Sequence, residues 1–598
     1  MNSGPGTNIA ELFQRHWKPL VLLFWLGTAI WFVWDRWNGI QGFGLGDTDD
    51  NLRIMQVRDW FLYGQDWYDL RQYHLSPPEG LNIHWSRIPD LPIAALWWFF
   101  MLFMDGPAAE RWAVAIAPMI PLIILMFAMA LTARRLLSPF AFWLALALIL
   151  CGGSSLAQFA PTRIDHHGWQ LAMLGVAVCG LADPRKGRGG LTLGIASGLS
   201  MSIGLEMLLY IVMAGMAVAL LWVKDAAQGR RLAAYGLSFA ATASLGYLVF
   251  GSYDNAQPMC DALSPVWLSV VLAAGAIAVA LAWLRLSSPW LRLGAAMLGG
   301  LLLAGMYAGL WPDCLGRLER VPEELDRFWL SNVREAMPVW RHGMGTTIAI
   351  GTIPLIGLIG YVVMIVRTRR DADMWPRWAA IGLIALIATA LLAWQTRAAA
   401  ASQLLAVPGC AALGWVLITW FQNQRLMLVR VFGVVVSFML VSGAIVTEAW
   451  GWWDDEGPPS EAQQAINNAN WRCPQPGFLH PVAMVEPKGH ILTFVDMGPR
   501  LVTLTEHTAI AGPYHRNAQA ILDVMRAFRG TPEDAKAMID RRGVDYVLIC
   551  PNMSESTIYR SEAKDGFYAQ LSENKVPEWL ETVPLPENSP FRMWRVKR

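Results

Sequence analysis

The chain has 598 residues, 55% of them hydrophobic and only 16% charged, and its mean hydropathy is +0.35. Soluble domains carry about 25% charged residues, so much of this chain belongs in lipid. A net charge of +1 leaves no basis for a nucleic-acid partner.

A membrane span needs about 20 predominantly apolar residues. Runs of that kind fall near 18–36, 111–132, 138–152, 169–182, 191–206, 207–223, 232–251, 266–284, 291–311, 343–366, 376–395, 399–421 and 427–447, which predicts thirteen spans. No small-residue cleavage site follows the first run, so it is read as a retained span. The stretch LPIAALWWFFMLFM at 91–104 is ambiguous, and charge decides it. Lys and Arg collect in cytoplasmic loops. With the N-terminus inside and 91–104 lying along the interface, Trp97 and Trp98 at headgroup level, the inner connections carry Arg134/Arg135, Arg185/Lys186/Arg188, Arg230/Arg231, Arg285/Arg292, Arg367/Arg369/Arg370 and Arg425. Counting 91–104 as a span turns all of these outward.

The long external pieces are then 37–90, 153–168, 252–265, 312–342 and the tail 448–598. The tail is polar, opens with the linker WWDDEGPPSEAQQ and contains the strand-like runs HILTFVD and YVLIC. The expected fold is a mainly α, polytopic inner-membrane domain over 1–447 and a small periplasmic α/β domain over 448–598. Of seven cysteines, Cys151, Cys179 and Cys410 lie in or at the ends of apolar runs, where a thiol is an ordinary small hydrophobe. Cys260 and Cys314 fall in two external loops, and Cys473 and Cys550 in the tail. An even number in an oxidising compartment predicts disulfides, Cys260 with Cys314 and Cys473 with Cys550.

Acidic residues near a bilayer tend to mark function, and three external segments carry them beside a span. In Gly46-Asp47-Thr48-Asp49-Asp50-Asn51, three carboxylates within four positions repel one another unless a cation or base neutralises them. Oxygen ligands suit magnesium or manganese; the competing reading is an Asp-rich turn capping a helix that begins near Leu52. In Pro161-Thr162-Arg163-Ile164-Asp165-His166-His167-Gly168-Trp169, Asp165 and His167 are two apart and share a side of an extended segment. They can offer two metal ligands, with imidazole tilting the choice toward manganese; the other reading is an interfacial His pair with no ligand. In Ser331-Asn332-Val333-Arg334-Glu335, Glu335 stands just before the tenth span.

In order and topological slot, these three segments resemble the GT-C superfamily of membrane glycosyltransferases, most closely the catalytic subunit of oligosaccharyltransferase. The resemblance covers roughly 1–450. It implies thirteen spans, an external C-terminal domain and inverting transfer of a lipid-linked sugar. Asp49, followed by Arg58 nine positions on, matches the metal-binding and acceptor-contacting acid of the first motif. Asp165-His166-His167 resembles the archaeal Asp-x-His motif, implying Asp165 and His167 as ligands. Asn332-Val333-Arg334-Glu335 resembles the third motif with Asn replacing Ser/Thr, implying Glu335 near metal and acceptor. The resemblance also implies an Arg on the donor phosphate from a late span. Arg397 is the candidate, eleven residues before Pro408 where the family spacing is nearer seven; a snorkelling Arg at a short turn is the other reading. In Pro77-Pro78-Glu79-Gly80-Leu81-Asn82-Ile83-His84-Trp85-Ser86-Arg87, His84 and Arg87 are candidates for the lipid phosphate or sugar, against an interfacial anchor.

The family's Trp-Trp-Asp-Tyr-Gly sequon-binding motif is not matched. Trp452-Trp453-Asp454-Asp455 lacks a preceding strand, and Phe494-Val495-Asp496-Met497-Gly498, better placed, lacks the tryptophans. Sequon N-glycosylation is therefore disfavoured. Gly512-Pro513-Tyr514-His515-Arg516-Asn517 either borders an acceptor or donor or forms a structural turn. The expected activity is divalent-metal-dependent transfer, with Mn or Mg, of a sugar or glycan from a polyprenyl phosphate or diphosphate to a lipid, polysaccharide or protein acceptor at the periplasmic face. The alternatives are a metal-independent GT-C transferase with Asp49 as base, and a non-catalytic flippase, transporter or polysaccharide-assembly subunit.

Overall fold

The computed structural model describes residues 14–598 apart from 317, 319, 320 and 454–456. Asp454 and Asp455, and part of the linker that opens the tail, lie outside the described residues. Each apolar run is helical, from Trp17–Asp35 to Met427–Val441. Among the described residues, eight helices are long and apolar enough to cross a membrane, or ten if each of two bent pairs is one span. The chain is thus a mainly helical, multi-pass membrane protein. The 91–104 stretch forms the helix Asp90–Phe100, 11 residues long. At 1.5 Å per residue that is about 16 Å, half a bilayer core. Its two tryptophans part company, against expectation: Trp98 is exposed, but Trp97 is buried 5.7 Å from the Phe61 ring, because the helix packs on the first loop.

The helices pack through small residues. Along Lys186–Ile203, Gly190, Gly194 and Gly198 recur every fourth position against Gly229–Phe250, and a Cβ on Gly194 would lie 2.0 Å from the Ser238 hydroxyl. Close approach of backbones replaces the hydrophobic drive that lipid removes. Basic residues from three of the connections meet at one end of the bundle. Arg135 and Arg188 both pair with Asp183, at 2.7 and 2.6 Å, and Arg231 donates to the Asp183 carbonyl. Helix His167–Ala182 ends there and begins, at His167, at the opposite end.

At that opposite end sits a five-stranded sheet, β1 (His490–Leu492), β2 (Thr508–Ala509), β3 (Tyr546–Ile549), β4 (Leu580–Val583) and β5 (Arg592–Val596), in the order β2-β1-β3-β5-β4. The first three strands run parallel, with Ile491 opposite Ala509 and Tyr546, while β5 is antiparallel to β3 and β4. β1 and β3 are buried along their length, as central strands covered by helices on both faces must be. Cys473–Cys550 ties the helical start of this unit to the end of β3, and Cys260–Cys314 joins two loops of the membrane part. Cys151, Cys179 and Cys410 are free.

The sheet unit is not set apart from the first loop. Ser76 donates to the Ala509 carbonyl at 2.8 Å and Ala509 to that of His74 at 3.0 Å, so loop backbone extends the β2 edge. Leu52, Leu75, Ile83 and Trp85 of the first loop share one apolar core with Ile491, Val502 and Ile521. The site is built where these two pieces and the helix ends meet.

Candidate active site

A cleft of about 680 Å³ opens between the first loop, the helix ends and the sheet unit. Its floor begins at Asp47, which caps the helix Thr48–Phe61. Asp47 accepts the Asp49 amide at 2.9 Å, and Asp50 answers by accepting the Asp47 amide at 3.0 Å. The acidic turn therefore does cap a helix, four residues earlier than expected. Asp47 and Asp50 are spent on the cap and on Arg163, while Asp49, at the second helical position, lines the cleft.

Arg163 is the base that lets three carboxylates share this space. It reaches Asp47, Asp50 at 3.1 Å and Asp165 at 2.7 Å. Asp50 also accepts the Asp165 amide at 3.0 Å, which ties the two acidic loops together. Asp165 and His167 do converge, but not on an extended segment. Asp165 accepts the His167 amide at 2.9 Å at a helix start, and the turn brings its other oxygen 3.1 Å from His167 Nδ1. Those two buried atoms make no aligned hydrogen bond. One ligand atom from each of Asp49, Asp165 and His167 lies within 4.8 Å of the others. Asp165 Oδ2 also meets Arg163 at 2.7 Å, while His167 Nδ1 is left without a hydrogen-bond partner; two carboxylates and an imidazole held so close fit a divalent cation.

The electrostatics follow. Burial, then the Asp47 and Asp165 charges, push the Asp49 carboxyl up to about 7. Against the upward push of burial, His167 and Arg163 hold Asp165 well below the usual carboxylate range. Burial would lower His167, but the Asp165 carboxylate overrides it and raises the imidazole to about 10.

Across the cleft, Glu335 pairs with Arg397 at 2.8 Å. Burial opposes ionisation of Glu335, yet Arg397 and His167 keep it below its ordinary value. Arg397 is not on the late helix itself. It occupies the 3-10 turn Thr396–Ala398 ahead of Ala399–Gln422, so its offset from Pro408 is not one unbroken helical count.

One expectation is corrected. Arg87 does not face the cleft: it is fully buried, and donates to the carbonyls of Gln56, Asp66, Trp67 and Asp69 at 2.7–3.2 Å, which closes the first loop. Arg58 is likewise a brace, paired with Glu110 at 2.7 Å and donating to the Thr503 carbonyl at 2.7 Å. His84 does line the cleft, 4.9 Å ring to ring from His515, and burial with that neighbour lowers its pKa well below the ordinary value.

His166, Glu206 and the Arg53 behind them were not singled out as candidates by the sequence. His166 is held between Arg53 at 3.3 Å and Glu206 at 2.8 Å, and Arg53 lies over Trp85 and pairs with Asp90 at 2.9 Å. Glu206 is the one charged residue in 191–222, a signal that could have found it. Tyr514 donates to the Thr48 carbonyl at 3.0 Å beside Asp49, so the Gly512–Asn517 segment borders the cleft as well as forming a turn. Asp496 also lines the cleft, in the turn after β1, where Glu555 accepts the Val495 and Asp496 amides at 2.8 Å. Burial pushes Asp496 up to about 6; burial and then Asp496 push Glu555 up to about 8. Trp452 and Trp453 are almost fully exposed and line none of it.

No protein-family model and no curated protein matches the chain. Solved structures do. The archaeal oligosaccharyltransferase AglB from Archaeoglobus fulgidus, in complex with an inhibitory peptide and a dolichol-phosphate, is 16% identical with a TM-score of 0.69, over 95% of this chain and 73% of that one. The Archaeoglobus fulgidus oligosaccharyltransferase tethered to an acceptor peptide gives 15% and 0.67, over 97% and 76%. The same enzyme in complex with Zn and sulfate gives 16% and 0.57, over 92% and 69%. The chain therefore has the fold of the archaeal oligosaccharyltransferases.

Proposed function

We propose that the chain is a divalent-metal-dependent glycosyltransferase of the inner membrane, moving a sugar or glycan from a polyprenyl phosphate or diphosphate to an acceptor at the periplasmic face. The observation that carries this reading is the convergence of Asp49, Asp165 and His167 on one point, in a cleft whose other wall presents Glu335 and Arg397. The likeness to enzymes solved with dolichol-phosphate and acceptor peptide supports it. In this reading all thirteen runs cross the membrane, the basic connections face the cytoplasm, and 448–598 is periplasmic.

Asp49, Asp165 and His167 would hold Mn or Mg, which supplies Lewis acidity toward the departing phosphate. Arg397 adds fixed positive charge for the same oxygens. His84 faces the donor from the first loop. The acceptor O–H attacks the anomeric carbon, the bond from that carbon to the phosphate oxygen breaks, and the polyprenyl (di)phosphate leaves. Asp49 takes the acceptor proton, which demands close alignment because a carboxylate beside a metal stays ionised and is a weak base, and Glu335 orients the acceptor. Inversion follows from the resemblance. Without the sequon tryptophans, and with Asp496 beside Glu555 at the lip, the acceptor is a lipid, polysaccharide or protein hydroxyl rather than a sequon asparagine.

Mass spectrometry of membrane lipids and envelope glycans from a deletion strain tests this. An accumulating polyprenyl-linked sugar and a missing glycan, restored by the wild-type gene but not by Asp49→Asn, are expected. Unchanged lipids and glycans refute it.

A further inference from the structure

A second group of ligand-bearing side chains stands elsewhere on the cleft wall. His84 comes from the first loop, Asp261 from the loop locked by Cys260–Cys314, and His515 from the sheet unit. One ligand atom of each lies within 4.8 Å of the others. His515 Nε2 is 2.5 Å from Asp261 Oδ2, while Nδ1 of His84 is buried with no hydrogen-bond partner. A buried lone pair or N–H left unmatched beside a carboxylate and a second imidazole needs an explanation.

We propose that His84, Asp261 and His515 form a second divalent-metal site, of the two-histidine, one-carboxylate kind that suits zinc or manganese. A cation takes the place of the proton between His515 and Asp261. Tetrahedral bonds of 2.0–2.2 Å set ligand atoms roughly 3.3 Å apart, so the His515–Asp261 contact opens by less than 1 Å. The surroundings are already fixed. Arg516 grips Asp261 through Nε at 2.7 Å and Nη2 at 2.6 Å, and reaches Asn82 at 2.8 Å and Asn255 at 3.0 Å. Those bonds use one lone pair on each Asp261 oxygen, and a carboxylate offers about four sites. Outer contacts of this kind orient a ligand and hold it for the metal. The competing account is a plain ion-pair clamp between the loop and the sheet unit, which leaves His84 Nδ1 unexplained.

The site does not depend on the transferase reading; if that reading holds, His84 reaches the donor phosphate through the cation. The test is zinc stoichiometry of the full chain in detergent, by mass spectrometry of metals after equilibrium dialysis against Zn2+ alone. Two zinc ions per wild-type chain are expected, one in His84→Gln/His515→Gln, one in Asp49→Asn/His167→Gln, and none in the fourfold variant. Retained binding at the other set shows that each double variant is folded. A cobalt titration gives the second readout: imidazole-ligated visible bands present in Asp49→Asn/His167→Gln should vanish when His515→Asn is added. Two zinc ions persisting in His84→Gln/His515→Gln overturn the proposal. So does a single wild-type zinc lost only in Asp49→Asn/His167→Gln, which leaves the transferase reading standing. A single zinc lost only in His84→Gln/His515→Gln supports this site and counts against the first.

Discussion

A cation entering between Asp49, Asp165 and His167 must displace protons, and the structure says how many. His167 is raised to about 10 and so holds its proton throughout the neutral range; Asp49, pushed up to about 7, is half protonated there. Asp165 is held low and contributes none. Protons compete with metal, so affinity rises with pH and is lost as pH falls. Between about pH 6 and pH 8 the His167 proton contributes two decades and the Asp49 proton about one, a thousandfold change or ~4 kcal/mol. At pH 7 binding should release about 1.5 protons. Calorimetric titration with Mn2+ in two buffers of different ionisation enthalpy reads both quantities, best in the His84→Gln/His515→Gln protein where a single set binds. His167→Gln should cut the pH dependence to about tenfold. Affinity that is flat from pH 6 to 8, or a slope untouched by His167→Gln, refutes the reasoning.

Arg397→Lys keeps the charge but loses the fork, and steady-state kinetics should show donor KM raised about tenfold, ~1.4 kcal/mol, with acceptor KM unchanged. Arg53→Met takes the closer of two cations from the fully buried Asp90, leaving Gln56 at 2.6 Å and Arg87 at 3.5 Å; thermal unfolding of the solubilised chain should report a loss of about 3 kcal/mol, and Arg53→Met/Asp90→Leu should recover most of it. Cys473→Ser/Cys550→Ser opens a closure spanning 77 residues; the chain-entropy account puts the loss at up to about 4.5 kcal/mol, read as an earlier unfolding transition of the sheet unit.

The membrane part was legible because lipid demands long apolar runs, and each run is helical. The cluster was legible because scarce charges at the ends of apolar runs stand out, and Asp49, Asp165 and His167 do come together. The geometry was not. Asp165 and His167 converge through a helix start, not an extended strand, since the Asp165 side chain caps the His167 amide. Arg87 looked like a ligand-binding base in a polar motif, but only the folded loop shows four carbonyls turned toward it. Asp261 and His515 are 254 residues apart and carry no local pattern, so their meeting is invisible until loop and sheet unit dock. Arg163 sat inside a quoted motif, yet its service to three carboxylates depends on a contact across 116 residues.

The backbone of residues 74–76 zips onto the β2 edge, while Arg500 donates to Asn51 at 2.9 Å and Tyr514 to Thr48 at 3.0 Å. One side of the cleft is thereby welded to the tail. On the proposed function, such a protein would not change its acceptor by exchanging one tail for another, because a foreign module would unseat Asp49 along with the lip. New acceptors would then come by point changes around the rim, with the weld left intact.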